Sequence, residues 1–153
     1  MTAQVGVAVI VGVVATAEDL ARRQISNWIP LAALVGGLVC QSVTRGWRGA
    51  VSSLLGAIAG FCVFLIFYWL GGMGGGDVKL MSGFGAVVGI EHLLEAALWT
   101  AAAGGLLALA ALALGRVWSW FRRKDPAGRG RPAFIPYAPA ITLGAWLSLV
   151  PRA

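Results

Sequence analysis

From Ala50 to Leu70 the chain carries no charged residue, and this run constrains the fold more than any other stretch. About 20 apolar residues in a helix cross the hydrocarbon layer of a bilayer. Inside that layer there is no water to satisfy backbone N–H and C=O groups, and a helix pairs them within one segment. Residues 5–17, 28–43, 78–90, 96–115 and 133–150 are also dominated by apolar side chains, and Lys79 is the only charge among them. Charged residues make up 12% of the chain, against roughly 25% in a soluble domain. The sequence therefore predicts an all-α polytopic membrane protein. Residues 1–153 form a single transmembrane domain, with no room for a second one. The net charge of +6 does not argue for nucleic acid, because the basic residues fall between apolar runs and no nucleic-acid-binding motif accompanies them.

The order of the runs predicts a topology. The first ends in Ala15-Thr16-Ala17, which resembles a signal-peptidase site, but no Lys or Arg precedes it and Arg22 and Arg23 follow it. A signal peptide has the opposite arrangement. The run is read as a retained helix ending near Asp19, with the N-terminus outside and residues 18–27 in the cytoplasm. Trp28 and Pro30 open the second run. Thr44 to Gly49 reads as a short loop, and the third run closes with Tyr68 and Trp69 at an interface. Gly71 to Gly76 holds only Met73 among its glycines, and a segment that costs ~1 kcal/mol per Gly relative to Ala is expected as a turn or extended backbone, not a helix. If residues 78–90 dip into the membrane and return, the basic cluster at 116–131 lies outside. If they cross, there are six transmembrane helices. Arg22, Arg23, Lys79, Arg116, Arg122, Arg123, Lys124, Arg129 and Arg131 are then inside, and Arg45, Arg48 and Arg152 outside. The bias favours six crossings.

Two charged stretches border these runs: Glu18-Asp19-Leu20-Ala21-Arg22-Arg23 and Gly74-Gly75-Gly76-Asp77-Val78-Lys79-Leu80. An ionisable residue at a membrane edge is costly and is a functional candidate by default. Asp19 closes the first span and Asp77 opens the fourth, and two crossings lie between them. Parity alone puts both carboxylates at the cytoplasmic boundary. Two carboxylates close together in a poorly solvated place share one proton. The ionised one can take a proton from water and the protonated one can give a proton to a carbonyl oxygen, which is metal-free hydrolysis of a peptide bond. Gly74, Gly75 and Gly76 would let backbone approach an extended substrate strand. From spacing alone two plainer readings stand level with this one. One takes the glycine run as a tight turn with Asp77 capping the next helix, and the other takes Asp19 as the loop partner of Arg22 or Arg23.

The residues also match a known pattern. Gly74-Gly75-Gly76-Asp77-Val78-Lys79-Leu80 resembles the G-x-G-D-x-K-L motif of the type IV prepilin peptidases, a family of membrane aspartic proteases. Asp19-Leu20-Ala21-Arg22-Arg23-Gln24-Ile25-Ser26-Asn27 resembles their second motif, an Asp followed by basic residues and Ile-Pro-Asn. Phe134-Ile135-Pro136-Tyr137-Ala138-Pro139-Ala140 is similar to the Pro-aromatic-x-Pro segment of their last helix. The resemblance covers essentially the whole chain, with Ser26 standing where the family usually has Pro. It implies that Asp19 and Asp77 are the catalytic pair of an endopeptidase. The implied substrate is a prepilin with a basic leader in the cytoplasm and an apolar helix in the membrane, cut between the two. It gives Lys79 the tuning of a carboxyl or the holding of a carbonyl. Its plain alternative is that Lys79 snorkels to the surface. The paired C-x-x-C motifs of the family's methyltransferase part are absent, so N-methylation is not expected, and the size resembles short members serving Flp-type, tight-adherence pili.

The remaining polar residues suggest little chemistry. No metal or cofactor is expected: Cys40 and Cys62 are far apart inside apolar runs, and Glu91, His92 and Glu95 read as a surface loop on the outer side. Gln4 and Gln41 read as outer-end helix residues. Trp28, Trp69, Trp118 and Trp120 read as interface anchors. The cluster at 116–131 sets topology, with a secondary affinity for anionic membrane lipid. Homo-oligomerisation is left open. Two other classes of function remain: an ion- or proton-coupled transporter using Asp77, and a non-enzymatic subunit of a secretion system.

Overall fold

A computed structural model describes residues 3–22, 24–71, 73–121 and 137–150, with backbone alone at 111, 112 and 114–121. It contains five helices: α1 (Ala3–Arg22), α2 (Trp28–Trp69), α3 (Gly75–Val88), α4 (Ile90–Phe121) and α5 (Ala138–Ser148). Three of them, α1, α2 and α4, are long and apolar enough to cross a membrane. Arg23, the basic residues at 122–131, the segment Phe134–Pro136 and Arg152 lie outside the described residues, as do the side chains of Arg116, Trp118 and Trp120.

A straight α2 of 42 residues would be about 63 Å long, but α2 is not straight. Gly46 sits at φ 59°, ψ −143°, a conformation outside the helix region that a side chain would resist. The two arms fold back on each other, so that a Cβ placed on Gly49 would run into the carbonyl of Gln41. Both arms pack on the same part of α3: Gly37 lies on the backbone at Ala86, and Gly56 on the backbone at Gly85. The expected 44–49 loop thus shrinks to one glycine. The chain reverses again at Gly89 (φ 77°), because Gly60 touches both Met81 before that residue and Leu93 after it. Residues 78–88 lie in one continuous helix and do not return on themselves.

α3 is the central element. Of its 14 residues, Asp77, Val78, Leu80, Met81 and the stretch Gly83 to Val88 are buried, the all-round burial of a core helix. Small residues bring its neighbours close. A Cβ on Gly85 would stand 2.2 Å from the Gly56 oxygen, and one on Gly56 2.2 Å from the Gly85 oxygen, so the two backbones are in direct contact there. α1 and α5 pack antiparallel beside this unit. Gly12 accommodates Thr142 and Trp146, and Trp146 Nε1 donates to the Ala8 carbonyl at 2.9 Å.

The outer surface is apolar: Ile10, Leu31, Val39, Ile58, Ile66, Leu94, Leu98 and Leu106 are all more than half exposed. The interior holds Asp19, Gln41, Ser53, Asp77 and Thr142. Apolar outside with polar groups enclosed suits a bundle solvated by lipid.

The helices define two ends. At one lie the end of α1, both termini of α2 and the starts of α3 and α5. At the other lie the start of α1 and the reversals at Gly46 and Gly89. Gln4 and Gln41 are at this second end, where both reach the Val87 carbonyl (2.6 and 3.2 Å). Glu91, His92 and Glu95 are there too. They belong to the first turns of α4, not to a loop, because Gly89 makes the reversal unaided. Arg45 pairs with Glu91 on this surface.

Candidate active site

Each aspartate is placed by the local pattern of its helix. On α1 the buried positions are Ala8, Val11, Gly12, Ala15 and Asp19, a stripe recurring every three or four residues. Asp19 is the last member of that stripe, so the packing that buries Ala15 also turns Asp19 inward. Its Oδ2 accepts the backbone N–H of Ala138 at 3.1 Å. Ala138 is the first residue of α5, so the carboxylate satisfies one of the four orphan N–H groups of that helix and lies at its positive end. Among the described residues Asp19 makes no ion pair with Arg22.

Asp77 is the third residue of α3. Its Oδ2 accepts the N–H of Gly74 (3.2 Å), and its own N–H donates to the Gly74 carbonyl (3.1 Å). This reciprocal pair fixes where α3 begins. It also corrects the expectation that the whole of Gly71–Gly76 is non-helical. Gly75 and Gly76 form the first turn of α3, where the Asp77 cap and the buried body of the helix outweigh the glycine penalty. The capping reading and the cavity reading of Asp77 are therefore compatible, since one oxygen caps. Neither Oδ1 atom of the pair has a hydrogen-bond partner among the described residues.

Asp19 and Asp77 line one cavity of about 570 Å³. They are 4% and 5% exposed, so the cavity is their main access to solvent. Gly74, Gly75, Gly76 and Lys79 line the same cavity. All six residues singled out in the sequence thus meet in one place. Lys79 is exposed and donates from Nζ to the side-chain oxygen of Asn27 at 2.8 Å. Among the described residues it reaches no backbone carbonyl.

Gln24, Ile25, Asn27 and Tyr68 complete the lining, and sequence reasoning gave none of them a role at the site. The first three belong to the irregular linker between α1 and α2, where no periodicity tells which side chain faces in. Ile25 lies over Gly76, 3.3 Å from where a Cβ would be, and the Tyr68 ring lies 3.7 Å from the corresponding point on Gly75. The floor of the cavity is thus bare backbone between two apolar walls. Among the described residues no group of His, Cys, Asp and Glu could hold a metal ion.

A carboxylate pair at one end of an apolar helical bundle, with glycine backbone beside it, describes a membrane protein with a buried polar centre. Comparison with known proteins narrows that description. The model of the type IV leader peptidase family matches residues 6–109, and the chain belongs to that family. It is 34% identical over 99 residues to a prepilin leader peptidase/N-methyltransferase of Bacillus subtilis, covering 63% of this chain and 35% of that protein. It is 28% identical over 136 residues to the protein of the same description in Xanthomonas campestris, covering 84% of this chain and 43% of that one. The Aeromonas hydrophila protein so described is 26% identical over 139 residues, covering 86% and 43%. The chain thus spans about two-fifths of the length of these curated relatives. No solved structure matches it.

Proposed function

We propose that this chain is an aspartic endopeptidase of the plasma membrane. In this reading it removes the leader of a prepilin at the cytoplasmic face, with Asp19 and Asp77 as the catalytic pair. The observation that carries the proposal is the placement of both buried carboxylates on one cavity, each accepting a backbone N–H through one oxygen and, among the described residues, leaving the other oxygen unengaged. Family membership and the description of the relatives support the substrate class.

In this reading the pair shares one proton. The ionised member takes a proton from a water molecule, whose oxygen attacks the scissile carbonyl carbon. The protonated member gives its proton to the carbonyl oxygen. The tetrahedral intermediate then collapses: a proton passes to the amide nitrogen, the C–N bond breaks, and the pair returns to one shared proton. The substrate chain lies extended over the Gly75–Gly76 floor, where no side chain keeps it from the carboxylates. The chain crosses the membrane six times with its N-terminus outside, which sets Asp19 and Asp77 on the cytoplasmic side with nine of the twelve Lys and Arg residues.

Asp19→Asn and Asp77→Asn, each co-expressed with a prepilin, are expected to abolish leader removal while the protein still inserts in the membrane. Processing at the normal rate by either variant would overturn the assignment. A coupled transporter would instead lose flux with Asp77→Asn and keep it with Asp19→Asn. The shared proton also predicts a bell-shaped rate profile with two apparent pKa values that belong to the pair. A flat profile with chemistry rate-limiting would contradict sharing.

A further inference from the structure

Glu18 stands one residue before Asp19 but does not enter the cavity. About 100° further round α1, its carboxylate turns to the linker that follows the helix. Oε1 accepts the Ser26 hydroxyl (2.5 Å) and Oε2 accepts the Ser26 backbone N–H (3.0 Å). Both oxygens of this carboxylate are thus committed to a single residue, eight positions on. Ser26 sits between the linker residues that wall the cavity, Gln24 and Ile25 on one side and Asn27 on the other. The linker has no repetitive structure to hold it. Its other ties include the Ser26 and Asn27 carbonyls, which accept the Ile29 and Leu31 N–H groups of α2 at 3.1 and 3.4 Å, the Ile25 side chain on Gly76, and the Lys79–Asn27 hydrogen bond at an exposed edge.

We infer that Glu18 is a positioning residue for proteolysis, a double clamp on Ser26 that sets the cavity wall formed by residues 24–27, and so the fit of the bound substrate. The inference rests on the proteolytic reading above. Glu18 never touches the reacting atoms. Its effect passes through the wall, which meets the substrate in ground and transition states alike, so its loss appears in KM and leaves kcat nearly unchanged.

Two measurements test it. In steady-state cleavage of a prepilin by the full chain in lipid, Glu18→Ala is expected to raise KM several-fold, the scale of a solvent-exposed charged contact, with kcat nearly unchanged. Ser26→Ala removes only the hydroxyl bond and is expected to give a smaller rise in KM, and the two changes together no more than Glu18→Ala alone. A normal KM in Glu18→Ala, or a loss confined to kcat, overturns the inference.

The second measurement needs no activity. A Cβ on Gly76 would lie 3.3 Å from the Ile25 Cβ, close to the separation a disulfide requires. In a chain carrying Ile25→Cys and Gly76→Cys, with Cys40 and Cys62 replaced by Ala, the cross-link is expected to form readily with Glu18 present and several-fold more slowly in Glu18→Ala. Equal rates overturn the clamp. A Glu18-dependent cross-link in a protein whose unmodified form cleaves no prepilin upholds the clamp and overturns the proteolytic reading instead.

Discussion

Glycine does opposite work at the two ends of this bundle. Towards the Gly46 end, Gly37, Gly56 and Gly85 have neighbouring backbone within 2.2 to 2.6 Å of where a Cβ would sit. There glycine lets helices touch, and a closed core results. Towards the Asp19 end, Gly75 and Gly76 face only the Tyr68 and Ile25 side chains, at 3.7 and 3.3 Å, and border an open cavity. Here glycine keeps space free beside two carboxylates. Polar groups serve both ends. At the closed end the Gln41 amide and the Ser53 hydroxyl donate to the Val87 and Ala86 carbonyls, and at the open end the Asp19 and Asp77 carboxylates accept the N–H groups of Ala138 and Gly74 and line the cavity. One residue type can thus serve packing or access, and the surrounding contacts, not the composition, decide which.

That contrast can be broken by substitution. Gly85→Ala is expected to have the largest effect on stability. Its Cβ meets the Gly56 carbonyl, part of a packed helix that cannot swing aside, and overpacking of this kind costs about 1–3 kcal/mol. A clear fall in Tm in detergent or lipid checks it, and an unchanged Tm would mean the two backbones are further apart than described. Gly75→Ala should do the reverse. The first turn of α3 gains a better helix former, so Tm holds or rises by the equivalent of less than about 1 kcal/mol. Leader removal meanwhile falls on the order of tenfold, the scale of one misplaced methyl in a pocket. Stability and cleavage moving together would erase the distinction between the ends. The smallest effect belongs to Glu91→Gln, which breaks the exposed pair with Arg45. Such pairs contribute about 0–1 kcal/mol, so chemical or thermal unfolding should barely shift and leader removal should not change.

The sequence revealed the spans more fully than the turns. Apolar runs report lipid or core contact over many residues, so the boundaries of α1, of the α2 arms and of α3 fall close to where the runs fall. A reversal made by one backbone conformation, as at Gly46 or Gly89, leaves no periodic trace. It was legible only as a glycine in a plausible place. Asp19 stands out because an acid closing an apolar run is costly at a membrane edge, and the stripe Ala8, Val11, Ala15 that turns it inward shows only in the packing. Asp77 could be placed because a lone acid follows glycines between apolar runs. Gln24, Ile25 and Asn27 could not be given roles, since direction in an irregular linker depends on contacts such as Glu18 with Ser26 that cross from another element. The amphipathic character of Tyr68 predicts an interface residue, and the structure adds that it walls the cavity.

The central claim is that two acidic side chains from separate helices act as one centre, and the separation of their carboxyl groups tests it most directly. In an experimental structure of the protein in lipid, the Asp19 and Asp77 carboxyl oxygens should lie about 3 to 7 Å apart, near enough to share a proton or one bridging water. Carboxyls pointing into different compartments, or held too far apart for a single water to join them, would contradict it.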